Sequence, residues 1–265
     1  MSIAFGSNAV AQMSGDIRVE FEHGNQTDFS FTPLWFGFHN ENFDAFDIGD
    51  DVQGTGIESI AEVGVIAPFE PEFAAADGTP GDIQGAAGGT PGPPPVQPGE
   101  TGVGFVTPMN PSAYQYFSFL SMVVPTNDTF IGNEDPLAFR VFDDDDNLID
   151  ASGNVTTERV IQIFATGFVF DAGTEVNDAD NGVAFAFGQD GSLGAVEGGL
   201  VTAVTDLSEF VGISDGTNFN IDDGIDFTGQ GELLATITIS VVPEPGSALL
   251  LVAGGLAAVF RRRSA

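Results

Sequence analysis

The sequence predicts an all-β protein, specifically an antiparallel β-sandwich with one or two short helices. Ile17, Val19 and Phe21 alternate with charged residues, which is the period-two pattern of a half-buried strand. The segment 233–241 alternates in the same way. Phenylalanine contributes 25 of the 265 residues, so the core is expected to be rich in Phe. Short strands separated by turns favour a sandwich over alternating βα units.

Further strands are expected wherever short apolar segments are bounded by Gly, Asp or Asn. These segments are 29–38, 102–107, 114–124, 137–142, 158–164, 167–170, 183–187 and 200–204. One helix is predicted after Thr55, because Thr55 and Glu58 have the spacing of a capping box and Ile57, Ile60 and Ala61 lie on one helical face.

One domain is expected over 16–241. The segment 78–99 holds 13 Gly or Pro residues and is interpreted as a long surface loop inside that domain. Residues 1–15 are interpreted as the remnant of a secretion signal, since Ala9-Val10-Ala11 resembles a cleavage site, or as a disordered N-terminus.

The composition excludes several classes of function. There are 39 acidic residues against six basic ones, so binding to nucleic acid is not expected. Cysteine is absent, which excludes disulfides and thiolate chemistry. His23 and His39 are the two histidines, and either is more readily explained as a packed residue than as a catalytic one. Most of the acids are expected on a solvated surface, and divalent cations or basic partners are plausible ligands for the others.

The C-terminal segment 242–265 has three successive parts. Pro243, Glu244 and Pro245 precede an apolar run over 248–260, which is expected to form a short hydrophobic helix. Arg261, Arg262 and Arg263 follow as a positive flank. The run has 13 residues, which is short for a permanent membrane span. This tail resembles the PEP-CTERM sorting signal. The resemblance implies an exosortase-type processing enzyme as a partner and transient membrane contact before the protein reaches the cell surface.

Two segments place acids directly after apolar strands. One contains Pro125-Thr-Asn-Asp128-Thr-Phe-Ile-Gly132, and the other contains Asp171-Ala-Gly-Thr-Glu175. Together they resemble the spondin N-terminal domain, and the segment around Trp35 resembles its bacterial branch. The resemblance implies a β-sandwich that binds one Ca²⁺ through Asp128, Asp171 and Glu175, with Asn127 and backbone carbonyls available to complete the shell. The alternative is that these acids only form turns and cap backbone amides.

The run of four aspartates at 143–146 imitates the start of an EF-hand loop. It lacks the glycine and the final glutamate of that motif, so we interpret it as a solvated hairpin turn.

We therefore expect a secreted, calcium-binding β-sandwich that is not an enzyme. It would act in adhesion or as a structural component of the cell surface or extracellular matrix, with exopolysaccharide or other surface glycans as partners. The sequence leaves three roles open: an adhesive module, a purely structural matrix protein, and a secreted hydrolase that uses paired carboxylates.

Overall fold

The computed structural model describes residues 16–24, 26–75, 79–83, 95–108, 110–204, 206–214, 220–222 and 232–242. The described part of the chain is mostly β-structure. Its strands are β1 (Ile17–His23), β2 (Ser30–Phe31), β3 (Leu34–His39), β4 (Thr79–Ile83), β5 (Thr101–Val106), β6 (Tyr116–Val124), β7 (Thr129–Gly132), β8 (Glu158–Phe164), β9 (Val169–Asp171), β10 (Thr202–Ala203) and β11 (Leu233–Val241). The helices are α1 (Gly56–Val63) and α2 (Glu70–Ala74), with 3₁₀ turns at Gly191–Leu193 and Ser208–Phe210.

The strands form two antiparallel sheets. The four-stranded sheet has the order β5-β1-β11-β8, so the first and last described strands pair in its centre. The larger sheet has the order β10-β9-β7-β6-β3-β4, and β2 also pairs with β6. Nearly all of the neighbours in the larger sheet are distant in sequence, and the hairpin β6–β7 is the exception.

One buried cluster is shared by the two sheets. Val19 and Ile239, which are paired across β1 and β11, contribute to it from the smaller sheet. Phe36 and Phe117 contribute from the larger sheet, with ring centroids 5.8 Å apart. Full burial of one Phe side chain stabilises a fold by roughly 1.5–3 kcal/mol, so a core this rich in Phe is a major source of stability.

A second buried cluster covers the opposite face of the larger sheet. Trp35 packs edge-on against Phe69 and Phe73 at centroid distances of 4.7 and 4.9 Å. Ile57 and Ile60 of α1 and Phe130 of β7 belong to the same cluster. The larger sheet is therefore buried on both faces, which explains why every residue of β3 and β7 is buried.

The predicted helix is confirmed as α1. The Thr55 side chain accepts a hydrogen bond from the Ile57 N–H, and Glu58 reaches back to the Gly54 N–H at 2.7 Å. The helix ends at Gly64, whose φ of +66° suits glycine, and a Cβ there would collide with Thr32. The second helix, α2, agrees with the expectation of one or two short helices, but the sequence analysis did not locate it, and it has no side-chain cap.

Two of the expected strands are wrong. The segment 137–142 forms only single bridges, of Arg140 with Tyr116 and of Phe142 with Leu148. The segment 183–187 is a series of turns in which Phe185 has a φ of +65°. Its Val183 N–H donates to the Gln189 side chain instead of to a neighbouring strand.

The segment predicted as a loop over 78–99 begins as the edge strand β4, which pairs with β3. Val96 forms a bridge with Phe31, and residues 84–94 lie outside the described residues.

The predicted solvated turn at 143–147 is confirmed, because Asp143 accepts backbone hydrogen bonds from Asp145 and Asn147. The expected N-terminal remnant at 1–15 and the sorting helix lie outside the described residues.

Candidate functional site

The candidate site lies where the β6–β7 turn meets the end of β9. Asp128 ends that turn, and its carbonyl accepts a hydrogen bond from the Ala172 N–H at 3.2 Å. Next to it, Thr129 pairs with Asp171 and Phe130 with Phe170. This pairing brings the two acidic segments named by the sequence analysis side by side, although they are 43 residues apart at Asp128 and Asp171.

Asp128 is fully buried and binds backbone amides. Its Oδ2 accepts hydrogen bonds from the N–H groups of Thr174 and Glu175 at 2.8 and 3.0 Å, and from the Thr174 hydroxyl at 3.2 Å. Its Oδ1 has no hydrogen-bond partner. Burial in the first place, and the nearby charge of Asp171 in the second, raise the pKa of Asp128 to about 7.

Glu175 is the second buried acid of the site, with 6% of its surface exposed. Its Oε2 is also buried without a hydrogen-bond partner. A Cβ on Gly194 would lie 2.1 Å from its Oε1, so a larger residue at position 194 would displace the Glu175 carboxylate. Burial, followed by the charges of Glu62, Asp128 and Glu58, raises the pKa of Glu175 to about 7.

Helix α1 supplies acids that the sequence analysis missed. Glu62 lies beside the Thr174 side chain, whose hydroxyl donates to Asp128, so Thr174 lies between the helix and the β6–β7 turn. Burial raises the pKa of Glu62, and the charge of Glu58 adds to this effect. The signal available in the sequence was the spacing of Glu58 and Glu62, which places two acids on one face of the predicted helix.

Asp171 is held differently from the other two predicted ligands. Its Oδ1 accepts a hydrogen bond from the Gly173 N–H at 2.7 Å, and its Oδ2 accepts one from the Asn177 side chain at 2.5 Å. Phe170 packs into the helix-side cluster, so strand alternation directs Asp171 toward the opposite face, which it shares with its partner Thr129. Burial raises the pKa of Asp171 as well.

The tight turn after Asp171 depends on glycine. Gly173 has a φ of +68°, and a Cβ there would lie 2.6 Å from the Leu200 N atom. The segment 195–199 then crosses over the turn, with the Glu197 N–H donating to the Thr174 carbonyl at 2.9 Å. Asn127 is also engaged, since its side chain accepts a hydrogen bond from the Asp178 N–H at 3.0 Å and donates one to the Asn181 carbonyl.

The structure therefore brings Asp128 and Glu175 together, while Asp171 acts on Asp128 mainly through its charge. Within the described residues, no three His, Cys, Asp or Glu side chains are arranged as a group that could hold a metal ion.

Both histidines are packed side chains. His23 bonds the Phe29 carbonyl and His39 bonds Ser118, and burial lowers the pKa of each, which favours the neutral form at neutral pH.

Comparison with known proteins identifies the C-terminal tail. Residues 241–264 match the PEP-CTERM protein-sorting motif. The match supports the predicted sorting signal that includes Pro243, Glu244, Pro245 and Arg261–Arg263, and it indicates export and sorting to the cell surface. It also fits an exosortase as the processing enzyme. These residues lie outside the described part of the chain, except for 241 and 242.

No curated protein matches the chain. Among the residues that the structure describes, no helix has both the length and the apolar character needed to cross a membrane.

Proposed function

We propose that this chain is a non-enzymatic surface protein whose spondin-like β-sandwich binds one Ca²⁺ beside Asp128 and Glu175. After export and removal of the sorting tail, it acts in adhesion or as a structural component of the extracellular matrix, in contact with exopolysaccharide or other surface glycans. The observation that carries this proposal is the pair of buried carboxylate oxygens without partners, Asp128 Oδ1 and Glu175 Oε2.

The donor chemistry fits a calcium ion. Calcium takes carboxylate and carbonyl oxygens in flexible arrangements, and an unpaired carboxylate in the interior is costly. Asp128 and Glu175 would hold the ion through their free oxygens, while the other Asp128 oxygen keeps its backbone hydrogen bonds. Bound calcium would supply two positive charges among the negative charges of Asp128, Asp171, Glu175 and Glu62. Asp171 would contribute mainly through its charge unless its side chain turns.

Burial of the acids supports a structural role in preference to a hydrolase. Asp128 has no exposed surface, and segment 195–199 covers the turn that carries Glu175. A substrate would need to displace this cover before it could reach either carboxylate. A secreted hydrolase using these acids predicts turnover that is lost in Asp128→Asn.

The calcium site can be tested by thermal unfolding with chelator and with millimolar calcium. We expect calcium to raise the Tm of the wild type, with stabilisation that grows as RT ln(1 + [Ca]/Kd). In Asp128→Asn the shift should disappear, while Glu22→Gln should behave like the wild type because Glu22 is exposed on β1 of the other sheet. An equal Tm with and without calcium in the wild type would rule out the site.

The sorting tail has its own test. Mass spectrometry of surface material from the native host should find a mature protein that ends near 243–246. Recovery of exported protein that retains Arg261–Arg263 would contradict processing.

A further inference from the structure

Helix α1 has an unfavourable charge at its C-terminal end. Its N-terminal end is well capped, because the Thr55 side chain accepts a hydrogen bond from the Ile57 N–H and Glu72 of α2 accepts one from the Gly56 N–H at 2.7 Å. Its last turn contains Glu62 and no basic residue. The C-terminal end of a helix carries a partial negative charge, so an acid there opposes the helix dipole. The helix therefore ends on a negative charge that its own sequence does not compensate.

This end of α1 lies beside the turn that carries the proposed calcium ligands. Ala61 belongs to the same buried cluster as Ala172, which directly precedes the tight turn after β9. The next helical residue, Glu62, lies beside the Thr174 side chain, whose hydroxyl donates to Asp128 at 3.2 Å. The acid at the end of the helix and the buried acid of the site are therefore separated by one threonine side chain.

The basic residues of the chain lie elsewhere. Three arginines precede the sorting tail. Arg18 and Arg159 lie on β1 and β8 of the four-stranded sheet, and Arg140 forms an ion pair within its own loop. Burial raises the pKa of Glu175, and the charge of Glu62 is the largest of the neighbouring charges that add to this effect. A cation that offsets the repulsion between the helix and the turn must therefore come from solution.

Packing alone holds α1 on the larger sheet against this repulsion. The helix has eight residues, and isolated helices shorter than about 12–15 residues are marginal in water. Its docking therefore depends on the burial of Ile57, Ile60 and Ala61 in the helix-side cluster. In the metal-free protein, the repulsion between Glu62 and the buried acids subtracts from this stabilisation. A divalent ion at the site would remove the repulsion.

We propose that calcium controls the docking of α1. The ion beside Asp128 and Glu175 attracts the charge of Glu62 and holds the C-terminal end of the helix on the larger sheet, and the helix opens more often when the ion is absent. Glu62 acts through its charge and does not need to bind the ion directly. The inference rests on the proposed calcium site, and it names the element whose position that site regulates.

Hydrogen–deuterium exchange of the full chain, with peptides measured by mass spectrometry, tests this inference. Peptides that cover 56–63 are compared in millimolar calcium and in chelator. In the wild type, exchange over α1 should be at least about fivefold faster in chelator, which is the lower end of ordinary coupling between two sites. In Glu62→Gln, the ratio of the two rates should fall toward one, because a repelling charge has been removed from the metal-free protein.

The affinity for calcium gives a second measurement, because coupling between two sites is reciprocal. By isothermal titration calorimetry, Glu62→Gln should still bind one calcium ion but at least about fivefold more weakly than the wild type. Glu70→Gln is the matched control, since Glu70 is an exposed acid on α2. It should keep both the wild-type affinity and the wild-type exchange ratio.

Several results would overturn the proposal. These are a wild-type exchange ratio near one over α1, an unchanged ratio in Glu62→Gln, and an equal fall of the ratio in Glu62→Gln and Glu70→Gln. Saturable calcium binding without any response of α1 would leave the calcium site intact and overturn this inference alone. A wild-type protein that binds no calcium would overturn the proposed site and this inference with it.

Discussion

Both sheets of this molecule are antiparallel, but they differ in how many of their faces are buried. In the four-stranded sheet, β1 alternates between buried and partly exposed residues, so one face contributes to the core and the other meets solvent. In the larger sheet, β3 and β7 are buried throughout because helices and loops cover the second face. Asp128 and Glu175, whose Oδ1 and Oε2 atoms have no hydrogen-bond partner, lie beside the larger sheet. The cover that buries its second face also removes Asp128 and Glu175 from water.

The largest expected difference between the sheets concerns a matched pair of phenylalanines on their outer faces. Phe130 on β7 is fully buried under the helices, whereas Phe105 on β5 is 63% exposed. Phe130→Ala should lower the free energy of unfolding by about 3–5 kcal/mol, since it leaves a cavity. Phe105→Ala should change it by less than about 0.5 kcal/mol.

Urea denaturation followed by circular dichroism measures both values. Similar losses for the two variants would show that the outer faces are equivalent, and the contrast between covered and open sheets would then be wrong.

A smaller difference is expected in the pH dependence of the metal-free protein. Asp128 and Glu175 have a pKa of about 7 in the folded protein, above the ordinary values of 3.8 and 4.5. The native state therefore holds protons that the unfolded state has released. The resulting stability is fully present below about pH 4 and is lost as pH rises to about 7, at roughly 1.4 kcal/mol for each unit of raised pKa.

Unfolding in chelator across this pH window should show the free energy of unfolding falling as pH rises. Asp128→Asn should have a shallower slope, because it removes one of the buried acids whose pKa is raised. Glu22→Gln on the open sheet should keep the wild-type slope. Identical slopes in the wild type and Asp128→Asn would mean that Asp128 does not titrate in this range.

The contrast between the sheets also explains how much could be predicted from the sequence. The strands β1 and β11 were predicted from period-two alternation, a pattern that arises only where one face of the sheet is exposed to solvent. Strand β7 was missed because Thr129–Gly132 is short and buried on both faces, so it has no alternation to detect. The segment 137–142 was mistaken for a strand because apolar content alone does not distinguish a strand from irregular structure, and only Val141 and Phe142 of this segment are buried.

The candidate site was predicted only in part. The segments around Asp128 and Asp171 were singled out because each places acids directly after an apolar strand, and the pairing of β7 with β9 brings them together. The backbone hydrogen bonds of Asp128 Oδ2 correspond to the alternative in which acids cap amides, whereas its Oδ1 has no hydrogen-bond partner. Glu62 was missed because its approach to Thr174 depends on how α1 packs on the larger sheet, which no local pattern encodes.

We propose that the buried pair Asp128 and Glu175 forms one specific cation site in a chain that has 39 acidic residues and six basic ones. The most direct measurement is the calcium stoichiometry of the metal-free protein by isothermal titration calorimetry at physiological ionic strength, for the wild type, Asp128→Asn and Glu22→Gln. We expect one saturable site in the wild type and in Glu22→Gln, and its complete loss in Asp128→Asn. Weak, unsaturable binding that is the same in all three proteins would contradict the claim.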